Sequence, residues 1–413
     1  MNELQYDVAV IGGGVSGICA AIASAKSGAS TVLIEKSANL GGMCTGGLVT
    51  LWCGSVRHRF FKDICDAENV KRKGRVVFSP ERLKSYFIDR LHQANVNLIL
   101  HSTFIETEKE KDRIKSVLLY SKGQKTKLYA DVFIDATGDG DLCFSAGANF
   151  QFGRASDNLC EPVTLMFMVG GVDDTTAIYP TFGTHPDVEE KMAEYVASGK
   201  IASPAGHVIL IEGYEVGTAC VNMTNLCMVD GTNPFELTRA ELFTRSQVPQ
   251  IVKFLQECVP GYENCYLLNT AEYIGVRETR HIQCDYQLTE LDIMEGRTFE
   301  DWVVKGAFHG FGAHNLTGSG ADESNSVNLS RENKEYTIPY SSLTVCGFEN
   351  LLVVGRAICG THLAHSSYRT MPICMGTGDG AGIAAALASK KKCGIREVDI
   401  KEVQRILEDQ FVY

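Results

Sequence analysis

After Ile11 the chain reads Gly12-Gly13-Gly14-Val15-Ser16-Gly17, and an acid, Glu35, follows 18 residues beyond Gly17. Glycines at this spacing bring backbone against a pyrophosphate. Gly12 permits a sharp turn, Gly14 removes the side chain that would face the phosphates, and Gly17 lets the following helix sit close on its strand. Helix first-turn amides and the positive end of the dipole would face the phosphates, and Glu35 would accept hydrogen bonds from an adenosine ribose. That is dinucleotide-binding chemistry. A second set of residues suits charge recognition and proton transfer: Arg277-Glu278-Thr279-Arg280-His281, then His314, then His362, His365 and Arg369, with His58 between Arg57 and Arg59. A histidine titrates near neutral pH, and an arginine fork grips a carboxylate. Each has a plainer alternative: Arg277 or Arg280 in an ion pair with Glu278 or Asp285, and His58 on a solvated basic face.

Strand-like and helical stretches must position these residues. Residues 6–11 form a short β-branched run, an alanine-rich segment to Lys26 has helical composition, and residues 31–35 form a second buried strand ending on Glu35. The glycine run from Leu40 to Gly47 predicts a loop pressed on a large ligand. Pro80 and the stripe Leu83, Phe87, Ile88 and Leu91 predict a helix over 80–94; strands follow at 96–107, 113–120 and 126–134. The last runs into the turn Ala136-Thr137-Gly138-Asp139. Helices are expected at 187–199 and 236–258, a strand over 262–280, an exposed loop over 315–333, and a buried strand at 351–355. Gly376–Gly382 reads as a second glycine turn opening a helix. Residues 393–413, with Ile400, Val403, Ile406 and Leu407 on one stripe, read as a terminal helix.

Composition narrows the class. In 413 residues, 45% are hydrophobic and 22% charged, which is ordinary globular composition. The net charge of −11 argues against a nucleic-acid partner, and no apolar run approaches the roughly 18–20 residues of a membrane span. Fifteen scattered cysteines, none in a Cys-x-x-Cys pair, predict reduced thiols and no metal site. Glu3 and Asp7 ahead of the apolar stretch argue against an export signal, so a cytoplasmic protein is expected.

The chain resembles the bacterial FAD-dependent oxidoreductases of the glutathione-reductase structural class over nearly its whole length. The carriers are Gly12–Gly17 with Glu35, Leu40-Gly41-Gly42-Met43, Ala136–Asp141, Gly275–Arg280, Ile338-Pro339-Tyr340, Asn350–Arg356 and Ser367–Pro372. The resemblance implies an α/β fold: a discontinuous FAD-binding Rossmann-type domain, residues 1–150 and 336–392, with an inserted α+β substrate domain at 151–335. It implies non-covalent FAD along Gly12, Gly14, Val15, Ser16 and Gly17, with Glu35 and Lys36 at the adenosine end. Gly41, Gly42, Met43 and Thr45 would press on it, and Ala136, Thr137, Gly138, Asp139, Gly355 and Arg356 would lie along the pyrophosphate and ribityl chain. Gly378, Asp379 and Gly382 would form the last flavin turn. This chain departs from the family there, with Asp379-Gly380 in place of a Gln-Ala pair.

The expected reaction is hydride transfer between a small organic substrate and flavin N5, with a further electron donor or acceptor completing the cycle. His314, which the resemblance includes, is the favoured acid/base and His365 the alternative. Arg280, Arg369 and Arg277 would complement negative charge, and His58 joins the candidates. Cys44 lacks a second cysteine at disulfide-reductase spacing, so it reads as a buried thiol. The competing readings are a flavin monooxygenase, for which no second glycine fingerprint exists, and a flavin-binding subunit without turnover.

Overall fold

The run before the glycine loop is the buried end of strand β1 (Asn2–Ile11), which leads into helix α1 (Val15–Lys26) and strand β2 (Thr31–Ile34). In the computed structural model, which describes residues 2–68, 71–72, 75–181, 184–322 and 334–412, these three elements anchor a seven-stranded sheet. Helix α2 (Arg59–Glu68), a ribbon of β3 (Lys71–Arg72) and β4 (Arg75–Val76), and helix α3 (Pro80–Gln93) fill the crossover to β5 (Asn97–Ile99), which lies parallel to β2. Ser79 caps α3 and Pro80 occupies its first turn, where its missing N–H costs nothing.

Strands β6 (Thr103–Glu110), β7 (Arg113–Ser121) and β8 (Gln124–Asp135) form an antiparallel meander, and β8 also runs parallel to β1. The outer edge of β8 is divided. Its first half pairs with β7, and residues 133–135 pair in parallel with β17 (Leu351–Val353), which returns from far along the chain. The parallel strands β1, β2, β8 and β17 thus end side by side, and their following loops meet at one edge. In open α/β sheets that is where ligands bind.

After α4 (Asp141–Ala146), strand β9 (Phe150–Phe152) pairs with β14 (Arg280–Ile282). Between them lies an antiparallel sheet of order β11-β12-β10-β13, made by β10 (Phe167–Gly170), β11 (Leu210–Glu212), β12 (Thr218–Val221) and β13 (Tyr266–Thr270). Helices α5 (Pro186–Ala197) and α6 (Pro234–Cys258) accompany it, and Phe254 of α6 and Met192 of α5 enter its core. This second hydrophobic core takes its buried residues from 163–274 together with Leu48, whereas Ile282, Val303, Val304 and Phe311 belong to the core of the large sheet. The expected strand over 262–280 is interrupted: Tyr266–Thr270 and Arg280–Ile282 form strands, Gly275 makes an isolated bridge to Thr164, and the segment carrying Arg277 is irregular. Of the loop expected over 315–333, residues 323–333 lie outside the described residues.

Helix α7 (Glu290–Glu295), the pair β15 (Trp302–Ala307) and β16 (Tyr336–Pro339), and helices α8 (His362–Tyr368), α9 (Met371–Lys391) and α10 (Ile400–Gln410) complete the chain. One expectation is corrected here. Gly376–Gly382 is not a turn but lies within α9, which begins at Met371. A Cβ on Gly378 would stand 2.1 Å from the Ser16 carbonyl oxygen, and one on Gly382 would stand 2.2 Å from that of Ala20. On the other side, Gly376 and Gly380 face Val304 and Val303 of β15. Four interior glycines weaken a helix by about 1 kcal/mol each relative to alanine. Here they let α9 fit between α1 and β15, and the periodicity places each pair four residues apart on its own face.

Candidate functional site

The glycine loop has the geometry of a ligand cradle. Gly12 holds φ at +111°, and a Cβ there would meet the Ala136 carbonyl oxygen at 2.3 Å. A Cβ on Gly17 would fall 1.9 Å from the Gly12 oxygen, so α1 starts directly against the turn. Gly14 differs: a Cβ there would meet nothing within 4 Å. Gly14 is also the N-cap of α1, no side chain caps it, and the first turn holds no acid. The amides of Val15, Ser16 and Gly17 therefore begin a helix whose positive end faces open space.

Glu35 fixes this cradle. One oxygen accepts from the Gly13 N–H at 2.7 Å and the other from Ser37 N–H at 2.8 Å. Lys36 is exposed. The Leu40–Gly47 loop folds back, with Gly41 N–H donating to Gly13 O at 2.8 Å, while Thr45 turns inward and donates to Leu40 O. Met43 packs its methyl against Gly47 and Gly275. Cys44 is buried, and burial raises its thiol pKa, which leaves it a neutral thiol at neutral pH. At the end of β8, Asp135 accepts from Thr137 N–H and from Cys143 N–H and so shapes the next turn. Gly138 faces the Arg356 guanidinium, and Arg356 and Thr279 both donate to Asp139. Gly355 N–H donates to Thr377 Oγ1, which joins the loop after β17 to α9. Open space at Gly14, an uncapped helix start and a carboxylate at the end of β2 fit the pyrophosphate and adenosine of FAD.

Gly378 and Gly382 do not line this cradle but serve the α1 contact described above. Asp379 faces away as well: its carboxylate lies 2.6 Å from His58 Nε2, both side chains are buried, and Cys19 stands beside them. Burial raises the Asp379 pKa, and His58 partly offsets the rise. His58 Nδ1 accepts from Phe61 N–H at the start of α2, so His58 is neither on a basic surface nor in the cradle.

The remaining candidates divide into three places. Arg280 is buried, donates to Asp139 O and Asp141, and covers the Phe144 ring at 4.3 Å, which commits it to shaping the Asp139 turn. His365 is enclosed beside Glu278, as is His281. Burial opposes ionisation of Glu278, but hydrogen bonds from His281 and His362 outweigh it and hold its carboxyl far below the usual range. His362 is raised in turn: burial lowers it, and its bond to Glu278 at 2.8 Å overcomes that.

Arg277, Arg369 and His314 come together, and with them come Glu161, His207 and His309, which sequence reasoning missed. Arg369 donates to Glu161 at 2.8 Å and to Gly312 O at 3.0 Å. Burial raises the Glu161 pKa, against the pull of Arg369. Burial, followed by Arg277, brings His207 down to about 4; burial, followed by Arg369, does the same to His309. His314 lies far below its ordinary value because of burial and then Arg277, Arg369 and His207. Arg277, His309, His314 and Arg369 all keep part of their surface accessible. They form one cluster within the fold, and no local sequence signal marks Glu161, His207 or His309 as members of it.

Over 95 residues the chain is 32% identical to the 3-oxosteroid 1-dehydrogenases of two Mycobacterium tuberculosis strains, a match covering 22% of this chain and 17% of theirs. The chain thus matches less than one fifth of the length of these curated relatives. Among solved structures, a geranylgeranyl bacteriochlorophyll reductase-like protein of Thermoplasma acidophilum aligns with all of this chain and 85% of its own, at a TM-score of 0.51 and 13% identity. The p-nitrophenol 4-monooxygenase of Pseudomonas putida DLL-E4 aligns with 99% and 84%, at 0.46 and 12%. The first likeness is one of fold. Among the described residues, no helix is long and apolar enough to cross a membrane. Its residues 7–407 match the family described as FAD dependent oxidoreductase, so the chain belongs to that family of enzymes, and FAD is its cofactor.

Proposed function

We propose that this enzyme transfers a hydride between an organic small molecule and FAD, with His314 taking or returning the accompanying proton. FAD, when bound, supplies the two-electron half of the exchange. The observation that carries this reading is the condition of His314. Burial and the nearby guanidiniums of Arg277 and Arg369 keep its ring neutral, while the residue as a whole is not fully enclosed. A neutral imidazole is a base. In the oxidation of an alcohol or amine, carbon loses hydrogen with its electron pair, and His314 accepts the proton from oxygen or nitrogen. The same guanidiniums disfavour the protonated ring, so the proton passes on readily, and they stabilise negative charge developing on the substrate. In reduction the proton travels the opposite way.

On this reading the second core would form the substrate side of a cleft, with residues 1–150 and 336–392 as the cofactor side and 151–335 inserted. His365, which has almost no accessible surface, supports the Glu278 cluster and does not touch substrate. The test is anaerobic mixing of His314→Gln with the reducing substrate. The variant should retain FAD yet bleach the visible flavin band about 10²–10⁴-fold more slowly, the range for loss of a general acid–base group. An unchanged rate would remove His314 and leave His309, the other neutral histidine that is not fully enclosed, in its place.

A further inference from the structure

We infer that the cluster of Arg277, Arg369 and the neighbouring histidines binds the carboxylate of an anionic substrate, with Arg277 as the residue that grips it; this rests on the hydride-transfer reading for what happens next, but not for the binding itself. Three observations carry it. The first is the hydrogen-bond inventory. Arg369 is committed to Glu161 and Gly312 O, whereas among the described residues Arg277 has one bond, from Nη1 to Pro162 O, and no carboxylate within ion-pair distance. A guanidinium has five N–H donors in a rigid fork, so most of the Arg277 donors remain available to a ligand.

The second is charge balance. Among the described residues, Arg277 and Arg369 share this cluster with one carboxylate, Glu161, which pairs with Arg369 and acts on Arg277 only at longer range. Glu278, the other buried acid nearby, is held by His281 and His362. One positive charge is left over in a confined, partly desolvated place. The cost shows in Arg277 itself, which burial, and then Arg369, bring down to about 10. A ligand anion would remove that imbalance.

The third is the type of donor. Three rings, His207, His309 and His314, stay neutral around the guanidiniums. A planar fork flanked by neutral imidazoles matches a planar carboxylate bidentately. A phosphate dianion is better served by clustered backbone amides, which this chain provides at the start of α1 and not here.

The experiment titrates the yellow holoenzyme with propionate, propionamide and inorganic phosphate at constant ionic strength, following binding heat and the flavin spectrum. Propionate should bind saturably, and propionamide and phosphate at least about tenfold more weakly, since hydrogen bonds to a charged group contribute about 1.5–3 kcal/mol. Arg277→Met should keep FAD and lose about 10–100-fold in propionate affinity by the same measure, with Arg277→Lys in between. Propionamide binding as well as propionate in the unaltered protein, or propionate affinity surviving Arg277→Met, would overturn the proposal. Loss of FAD from Arg277→Met would also overturn it, by assigning the residue to the cofactor. Propionate binding that depends on Arg277, combined with no bleaching by any carboxylate substrate, would retain this site and remove the hydride-transfer reading. Bleaching by neutral substrates without propionate binding would do the reverse.

Discussion

Two glycine-rich stretches, Gly12–Gly17 and Gly376–Gly382, have nearly the same composition and opposite uses. In the first, the space in front of Gly14 is open and the helix behind it is uncapped. In the second, every glycine faces protein: Gly378 and Gly382 meet carbonyl oxygens of α1, and Gly376 and Gly380 meet valines of β15. One stretch leaves room for a ligand and the other removes room between helices. A glycine pattern identifies close approach, and only the neighbouring elements decide what approaches.

The largest effect should come from Gly378→Val. Its Cβ would sit 2.1 Å from a backbone oxygen that cannot move without shifting α1. Overpacking of this kind costs about 1–3 kcal/mol where side chains can adjust, and more against backbone. Thermal unfolding should show a lowered midpoint or insoluble protein. A variant as stable as the parent would mean that α9 does not pack on α1 this closely.

Gly12→Ala should cost less, and it divides the first stretch from within. Here the left-handed φ and the Ala136 oxygen both oppose a side chain. Strain of about 1–3 kcal/mol is expected in the unfolding free energy, in protein freed of FAD as well as in holoprotein. If the apoprotein is unaffected, Gly12 belongs with Gly14 as a ligand position. The smallest change should come from Gly376→Ala. Its Cβ would come no nearer than 3.0 Å to the Val304 methyl groups, which can give by a few tenths of an ångström, while alanine gains about 1 kcal/mol of helix propensity over glycine. The net shift should stay within about 1 kcal/mol by denaturant titration. A loss as large as that of Gly378→Val would show that the β15 face of α9 is as unforgiving as the α1 face.

The first 35 residues were legible because strand, turn, helix and strand are neighbours in sequence, and the glycines at the turn sit directly between the strand and the helix they join. The role of the late glycines was not, since their partners Ser16, Ala20 and Val303 lie far away along the chain. The α/β class, most helices and the parallel strand at 351–353 also followed from local pattern. The cluster around Arg277 and Arg369 did not. Arg369 and Glu161 are 208 residues apart, and His207 and His309 sit in segments with no distinguishing spacing. Arg280 looked equivalent to Arg277 in sequence, but Asp139 and Asp141 hold it at the turn. The Asp379-Gly380 departure read as a change at the flavin, yet it leads to the buried pairing with His58.

The most direct test of the account is FAD binding to refolded Gly14→Val, compared with the parent. At φ −71° and ψ 176°, an ordinary conformation for valine, and with nothing within 4 Å of the new Cβ, the apoprotein should unfold within about 1 kcal/mol of the parent. The parent should take up one FAD per chain and the variant essentially none, because the branched side chain fills the space that the pyrophosphate needs. Stoichiometric FAD on a folded Gly14→Val variant would contradict the assignment of this glycine loop as the cofactor site.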